Sequence, residues 1–328
     1  MKGISLMKIM KPLSLVAIAA LALTASGCAN RGGETTSSED FPAKTITMIV
    51  PYQAGGASDL SARTLAKEME ETLGQSIVVE NRTGGAGSVG LTYLSARPAD
   101  GYTIGYLPVE TVMLGHQGYD LDPAAFDVLG QIVSVPATIA VRADSPYQSL
   151  QDLLDAAKAN PGGVTVSNSG AGSIWQAATT ALNEAAGVEL KPVPFDGGAP
   201  AVTAAVGGQV DAVAAGISET SVAAADGRLR VLAILDASTS EALPGVKTAQ
   251  DLGTDVVIGG WGAIGAPAGL PEDVKKKLVE AVKSAAQSEA FTAVIDKSGN
   301  LPVYTAPAEF LTFYNAEASR FATLFAEK

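Results

Sequence analysis

A two-domain α/β fold with a cleft between the domains is predicted by three features of this 328-residue sequence. Short β-branched runs alternate with amphipathic helical stretches, the pattern of parallel strands covered by helices on both faces. Four of those runs end in bare, glycine-rich turns that lead into a helix: "PYQAGGASD" (51–59), "ENRTGGAGS" (80–88), "SNSGAGSIW" (167–175) and "PFDGGAP" (194–200). The composition, 47% hydrophobic and 17% charged with 35 glycines, is that of a globular chain long enough for two α/β domains.

The opening stretch stands apart. "MKGISLMKIMKPLSLVAIAALALTASGC" carries Lys2, Lys8 and Lys11, then an apolar run ending in small residues. This is the pattern of an export signal over residues 1–27. The apolar run is short of the roughly 20 residues a spanning helix needs. "ASGC" (25–28) resembles the lipobox of bacterial lipoproteins, and the resemblance implies lipidation of Cys28, the only cysteine. Residues 28–42 are polar and rich in Gly, Ser and Thr, a flexible tether with a reach on the order of 20 Å. The chain is thus expected to be exported and lipid-anchored to the outer face of the cell membrane.

The first βα units follow. "TITMIVPY" reads as a buried strand, and "LSARTLAKEMEETLG" as a helix with Leu65, Met69 and Leu73 on one face, Ala62 and Ala66 beside them, and Gly74 closing it. Ser58 or Asp59 is a suitable N-cap for that helix, and Ser88 for the one through "VGLTYLSA". "SIVVE" and "YTIGYLP" are the next strands. A second set begins near Val141: helix "SLQDLLDAAKANPGG", strand "VTVSNS", helix "SIWQAATTALNEAAG", strand "ELKPVPF", helix "APAVTAAVGGQ" and strands "VDAVAAG" and "ADGRLRVLAIL". "VVIGGWGAIGAP" then leads to a helical C-terminus with Pro271 at a helix start. The expected division is a first domain of 43–142 plus 258–328 and a second of 143–257, joined by short strand-like crossings.

Charge and residue counts exclude several function classes. Without residues 1–27 the chain has 19 basic and 34 acidic residues, a formal charge of −15, which argues against nucleic acid and anionic lipid as partners. His116 is the only histidine, so multi-histidine metal sites are ruled out and no metal or cofactor is expected. No G-x-S-x-G or P-loop occurs. Gly85, Gly87 and Gly90 form a formal G-x-G-x-x-G, but about twenty residues on only Val109-Glu110 offers a ribose acid, an unconvincing one. No catalytic set emerges, so an enzyme is not expected.

A binding role is what the turns suit. Ligands of open α/β sheets bind beyond the carboxyl ends of the strands. Helix N-termini there offer unpaired N–H groups and about half a positive charge, an anion site without Lys or Arg. Glycine lets the backbone come close to the guest.

The segment from Phe41 to Pro108 resembles the tripartite tricarboxylate transporter solute-binding proteins, the TctC or Bug family. So do "LQDLLDAAKANPGGVTVSNSGAGS", "GGQVDAVAAG", "GRLRVLAIL", "LPGVKTAQDLG", "WGAIGAPAGLP" and "PAEF", in family order over nearly the whole chain after the signal. The resemblance implies a two-domain periplasmic-binding-protein fold, type II-like, closing on a small carboxylate: a di- or tricarboxylate, an amino acid or an aromatic acid. It implies large and small membrane permease subunits as partners. It places ligand-binding residues at Ala54, Gly55, Gly56, Ser58, Asp59, Asn81, Gly84 and Gly87 in the first two turns, and at Ser169, Gly170, Ala171, Ser173 and Asp196 in the second domain. Two positions depart from the family pattern: Gln176 stands where a His is frequent, and Asp196-Gly197 where Lys-Gly is common. Asp196 either meets a donor group of the ligand or caps the following helix. Trp175 and Trp261 either stack on the ligand or pack. The alternative to transport is a carboxylate sensor module serving a signalling partner.

Overall fold

The computed structural model describes residues 41–326; the export signal, Cys28 and all but the last two residues of the tether lie outside the described residues. In chain order the elements are β1 (Ile46–Val50), α1 (Ala57–Leu73), β2 (Ile77–Asn81), α2 (Ser88–Ser95), β3 (Thr103–Pro108) and β4 (Phe126–Arg142). Then come α3 (Leu150–Ala159), β5 (Thr165–Asn168), α4 (Ile174–Ala186), β6 (Lys191–Pro194), α5 (Gly198–Val206), β7 (Ala212–Gly216), α6 (Ile217–Ala225) and β8 (Leu229–Ile234). The chain finishes with β9 (Gly259–Pro267), α7 (Glu272–Ala286), α8 (Glu289–Lys297), β10 (Leu301–Thr305) and α9 (Pro307–Ala326). Three 3-10 turns, Val109–Val112, Leu114–Gln117 and Pro123–Ala125, lie between β3 and β4.

The strands run in the order β2-β1-β3-β9-β4-β7-β5-β6, with β8 and β10 also pairing with β4. Each wing is parallel, as the alternating pattern predicts: β1 pairs in parallel with β2 and β3, and β5 with β6 and β7. The centre is antiparallel, through β3–β9, β4–β9 and β4–β7. One 17-residue strand, β4, serves both wings. Residues Phe126 to Pro136 pair with β9, and Ala137 to Val141 pair with β7. The hand-over falls at Pro136, which has no N–H to give to a ladder and suits the point where one partner replaces another.

Side-chain alternation puts the two strand faces into different cores. Ile46, Met48 and Val50 of β1 pack with α1, α7 and α8, while Ile49 faces the other way. On β7, Ala212 and Ala214 face the α3–α4 side and Val213 and Ala215 the α5 and α6 side. The α1 stripe read from the sequence is buried as expected at Ala62, Leu65, Ala66 and Met69; fully burying Leu65 or Met69 contributes about 2–3 kcal/mol each. Gly74 closes α1 in the left-handed region at φ 65°, its N–H donating to the Glu70 carbonyl.

The N-cap readings need correction. Gly56 and Gly87, not a polar side chain, precede α1 and α2, so Ser58, Asp59 and Ser88 lie inside the helices. Pro271 is the residue before α7. The third glycine of the formal G-x-G-x-x-G is a packing residue: a β-carbon on Gly90 would lie 2.7 Å from the Arg82 carbonyl oxygen and 2.8 Å from Pro51 Cα. Both are backbone atoms, so α2 would have to move off β1 and β2. Gly90→Ala is therefore expected to cost about 2 kcal/mol in urea denaturation, within the usual range for overpacking; an unchanged midpoint would show that α2 has slack.

Candidate functional site

The four glycine-rich turns lie at the carboxyl ends of β1, β2, β5 and β6. Three of the four helices starting there lack a side-chain cap; α4 has one, Ser173, and away from the turns α6 and α7 also lack one. α1, α2 and α5 begin on Gly56, Gly87 and Gly197 with no side chain bonded to their first N–H groups. By contrast α3 and α8 carry serine caps, Ser149 and Ser288. At α2 the Ser88 and Val89 N–H groups are taken by the Gly85 and Gly84 carbonyls of the preceding turn, so the helix starts here without either kind of bond are those of α1 and α5.

In the first wing, Asp59 is buried in the first turn of α1 and organises both turns. Its carboxylate accepts from Gly55 N–H at 2.8 Å, from Arg63 Nε at 2.9 and 3.0 Å, and from Asn81 Nδ2 at 2.8 Å. Asn81 also donates to the Tyr52 carbonyl at 2.9 Å and accepts from Arg63 Nη2 at 2.8 Å. Burial pushes the Asp59 carboxyl up, but these bonds outweigh it and hold it below the ordinary aspartate value. The side chains of Asp59 and Asn81 are thus spent on shaping the turns. Ser58 hydrogen-bonds Tyr106. Ala54, Gly55, Gly56 and Gly84 are exposed, while Gly87 is buried against the Pro51 and Tyr52 side chains. The second turn is left-handed from Gly84 to Gly87, Ala86 included at φ 52°, a conformation that costs a non-glycine residue about 1–2 kcal/mol.

The second wing's turns are tied to each other. Phe195 N–H donates to the Asn168 carbonyl at 2.9 Å, and Gly197 N–H to the Ser169 carbonyl at 3.2 Å. Ser169 and Gly170 are half-buried, Ala171 is exposed, and buried Ser173 caps α4 through Gln176 N–H. Gln176 folds back to accept from Gly172 N–H at 2.6 Å. Asp196 is exposed and caps nothing, since α5 has no side-chain cap; that removes the helix-capping reading.

Residues to which the sequence assigned no place in the ligand site connect the wings. Glu110, on the 3-10 turn after β3, is 4% exposed. Its Oε1 accepts from Ile174 N–H, at the start of α4, at 3.0 Å, and the carboxylate is hydrogen-bonded to the Tyr52 hydroxyl of the first turn. Burial pushes its carboxyl above the ordinary glutamate value, with those two donors holding it back in part. Gln117 Nε2 adds a bond to the Gly172 carbonyl at 3.1 Å. The first turn, the segment after β3 and the turn before α4 therefore meet. Glu219, at the head of α6, is the other such acid. It stands three residues after Gly216, the spacing by which a helix acid reaches back to its N-cap N–H. That spacing was a signal available in the sequence. Burial pushes its carboxyl up to about 7 against bonds from its own and the Gly216 N–H. The two tryptophans pack: Trp261 against Phe310, Phe313 and Tyr314, and Trp175 beside Gly216 and Gly260. His116 is exposed. Among the described residues no group of three His, Cys, Asp or Glu forms a metal site.

The family model described as the tripartite tricarboxylate transporter family receptor matches residues 61–328. The chain belongs to this family. The receptor is 31% identical over 299 residues to the protein BugT of Bordetella pertussis, covering 89% of this chain and 91% of BugT. Its fold matches the periplasmic binding protein BugD with a TM-score of 0.81 at 29% identity, over 88% of this chain and 98% of BugD. It matches MatC of Rhodopseudomonas palustris, solved with bound malate, at 0.80 and 28% identity, over 87% of this chain and all of MatC. The fold is that of the periplasmic binding proteins, as expected, and the receptor is a solute-binding protein rather than an enzyme.

The raised Glu219 carboxyl makes a pH prediction. Its value when folded, about 7, lies above its ordinary 4.5, so the folded chain holds a proton that the unfolded chain has released. Stability from this group is present below pH 4.5 and is lost as pH rises to 7. The urea midpoint should therefore fall more between pH 5 and 8 for the unmutated protein than for Glu219→Gln; parallel slopes would contradict this.

Proposed function

We propose that the receptor captures a small carboxylate between its two wings and delivers it to a membrane permease. The single observation that carries this reading is the uncapped N-terminus of α1 in the glycine-rich turn at the carboxyl end of β1. Charge-assisted bonds from such N–H groups are roughly twice as strong as neutral ones, and they act at contact, where the overall negative charge is screened beyond about 8–10 Å. The expected domains, 43–142 plus 258–328 and 143–257, approximate the wings, except that residues 137–142 of β4 pair with β7 and β8 of the second wing; Ala54, Gly55, Gly56 and Gly84 line one wall and Ser169, Gly170, Ala171 and Asp196 the other. Malate bound by MatC supports a carboxylate as the guest. Closure brings the walls onto the ligand, and differential affinity for the closed state holds it. No bond is made or broken.

Export and anchoring complete the proposal. The signal over 1–27, the lipobox ending at Cys28 and the polar tether support a receptor held on the outer face of the membrane within reach of large and small permease subunits. Among the described residues no helix is long and apolar enough to cross a membrane. The test is thermal unfolding of the full chain with a panel of small mono-, di- and tricarboxylates. A bound member at 100 Kd should add about 2.7 kcal/mol, and the molecule should be recovered unchanged. No shift with any carboxylate would sink the reading.

A further inference from the structure

The two walls carry opposite chemistry. The first-wing turns have Arg63 and Arg82 beside them, Arg63 bound to Asp59 and Arg82 to Glu80. In the second wing, segments 168–173, 195–198 and 216–219 contain two acids, Asp196 and Glu219, and neither Lys nor Arg. The Glu219 carboxylate sits where an incoming anion would seek the heads of α5 and α6. A β-carbon on Gly198, the first residue of α5, would lie 2.5 Å from Glu219 Oε1, and one on Gly216 would lie 2.7 Å from Oε2. At α4 the protein's own Glu110 already holds the Ile174 N–H. The second wall thus has the protein's own carboxylates on the starts of α4 and α6 and beside the start of α5. An independent observation comes from Asn168 at the end of β5, fully buried, where Oδ1 accepts from Gly170 N–H at 3.1 Å. Its Nδ2 donor has no partner among the described residues, and a buried donor without an acceptor is unfavourable. It lies in the turn that Phe195 and Gly197 join to the α5 start.

We propose that Glu219 is a specificity-determining residue that makes the second wall reject a second carboxylate and accept a hydrogen-bond donor, so that the receptor's ligand carries one carboxylate and, at its far end, an ammonium or carboxamide group. This rests on the carboxylate-binding reading above and names its ligand class. The single carboxylate goes to the uncapped head of α1. The far group donates to Glu219, with exposed Asp196 adding negative potential. A carboxamide also offers an oxygen to Asn168 Nδ2. A second carboxylate would instead face Glu219 as a like charge, an unfavourable juxtaposition.

The test is calorimetric titration of the full chain at pH 8, where Glu219 is ionised. The probes are succinate, glutarate and adipate, each beside its half-amide and the ω-amino acid of equal length. For at least one length, the half-amide or amino acid should bind about tenfold or more tighter than the diacid. Glu219→Gln, which removes the charge and keeps the shape, should bring that ratio within about threefold. If that variant fails to fold, the comparison on the unmutated protein still decides. Diacids binding as tightly as their partners at every length, or a ratio unmoved in folded Glu219→Gln, overturns the inference and leaves the carboxylate reading standing. No heat from any probe overturns both.

Discussion

Glu110 is the constraint on which the arrangement of the turns depends. It is one buried carboxylate with two donors from different wings: the Tyr52 hydroxyl, at the end of β1, and the Ile174 N–H, at the start of α4. Stripping such a buried group of either donor leaves a polar oxygen unpaired in a dry environment, which is costly. The bond therefore fixes how the first turn stands against α4. The rest follows by contact. Gln117 holds the Gly172 carbonyl from the same segment, Gln176 and Ser173 close the turn before α4, and Ser169 and Asn168 tie that turn to the one before α5.

The division of labour between side chain and main chain explains how a chain of such negative charge suits an anionic guest. In the first wing the polar side chains, Asp59, Asn81 and Arg63, bind one another and leave the α1 head without a side-chain cap. In the second wing carboxylates of the protein take N–H groups that a guest would otherwise claim, Glu110 at α4 and Glu219 at α6. The same physics, a carboxylate on a helix N-terminus, thus serves attraction on one wall and discrimination on the other.

Local features of the fold were legible in the sequence. The α1 stripe from Ala62 to Met69, the Gly74 stop, the strands flanking each glycine-rich turn and the Ser149 start of α3 all follow from period and turn chemistry within a dozen residues. What was not legible depends on partners far away in the chain. β4 spans 126–142 because β9 and β7 pair with its two ends, and nothing within it marks one continuous strand; Pro136 even reads as a break. The antiparallel centre was missed for the same reason. Glu110 read as a weak candidate for a ribose because Tyr52 and Ile174, 58 and 64 residues away, give it its role. The candidate turns themselves were legible; which of their side chains are free was not, since Asp59 and Asn81 look available until their mutual bonds are seen.

The most direct measurement is a double-mutant cycle on Tyr52→Phe and Glu110→Gln, read by urea denaturation of the full chain. If one carboxylate joins the wings through these groups, the two changes are coupled, with an interaction energy of about 1–3 kcal/mol. Strictly additive effects would mean that Tyr52 and Glu110 act independently, and the join described above would be wrong.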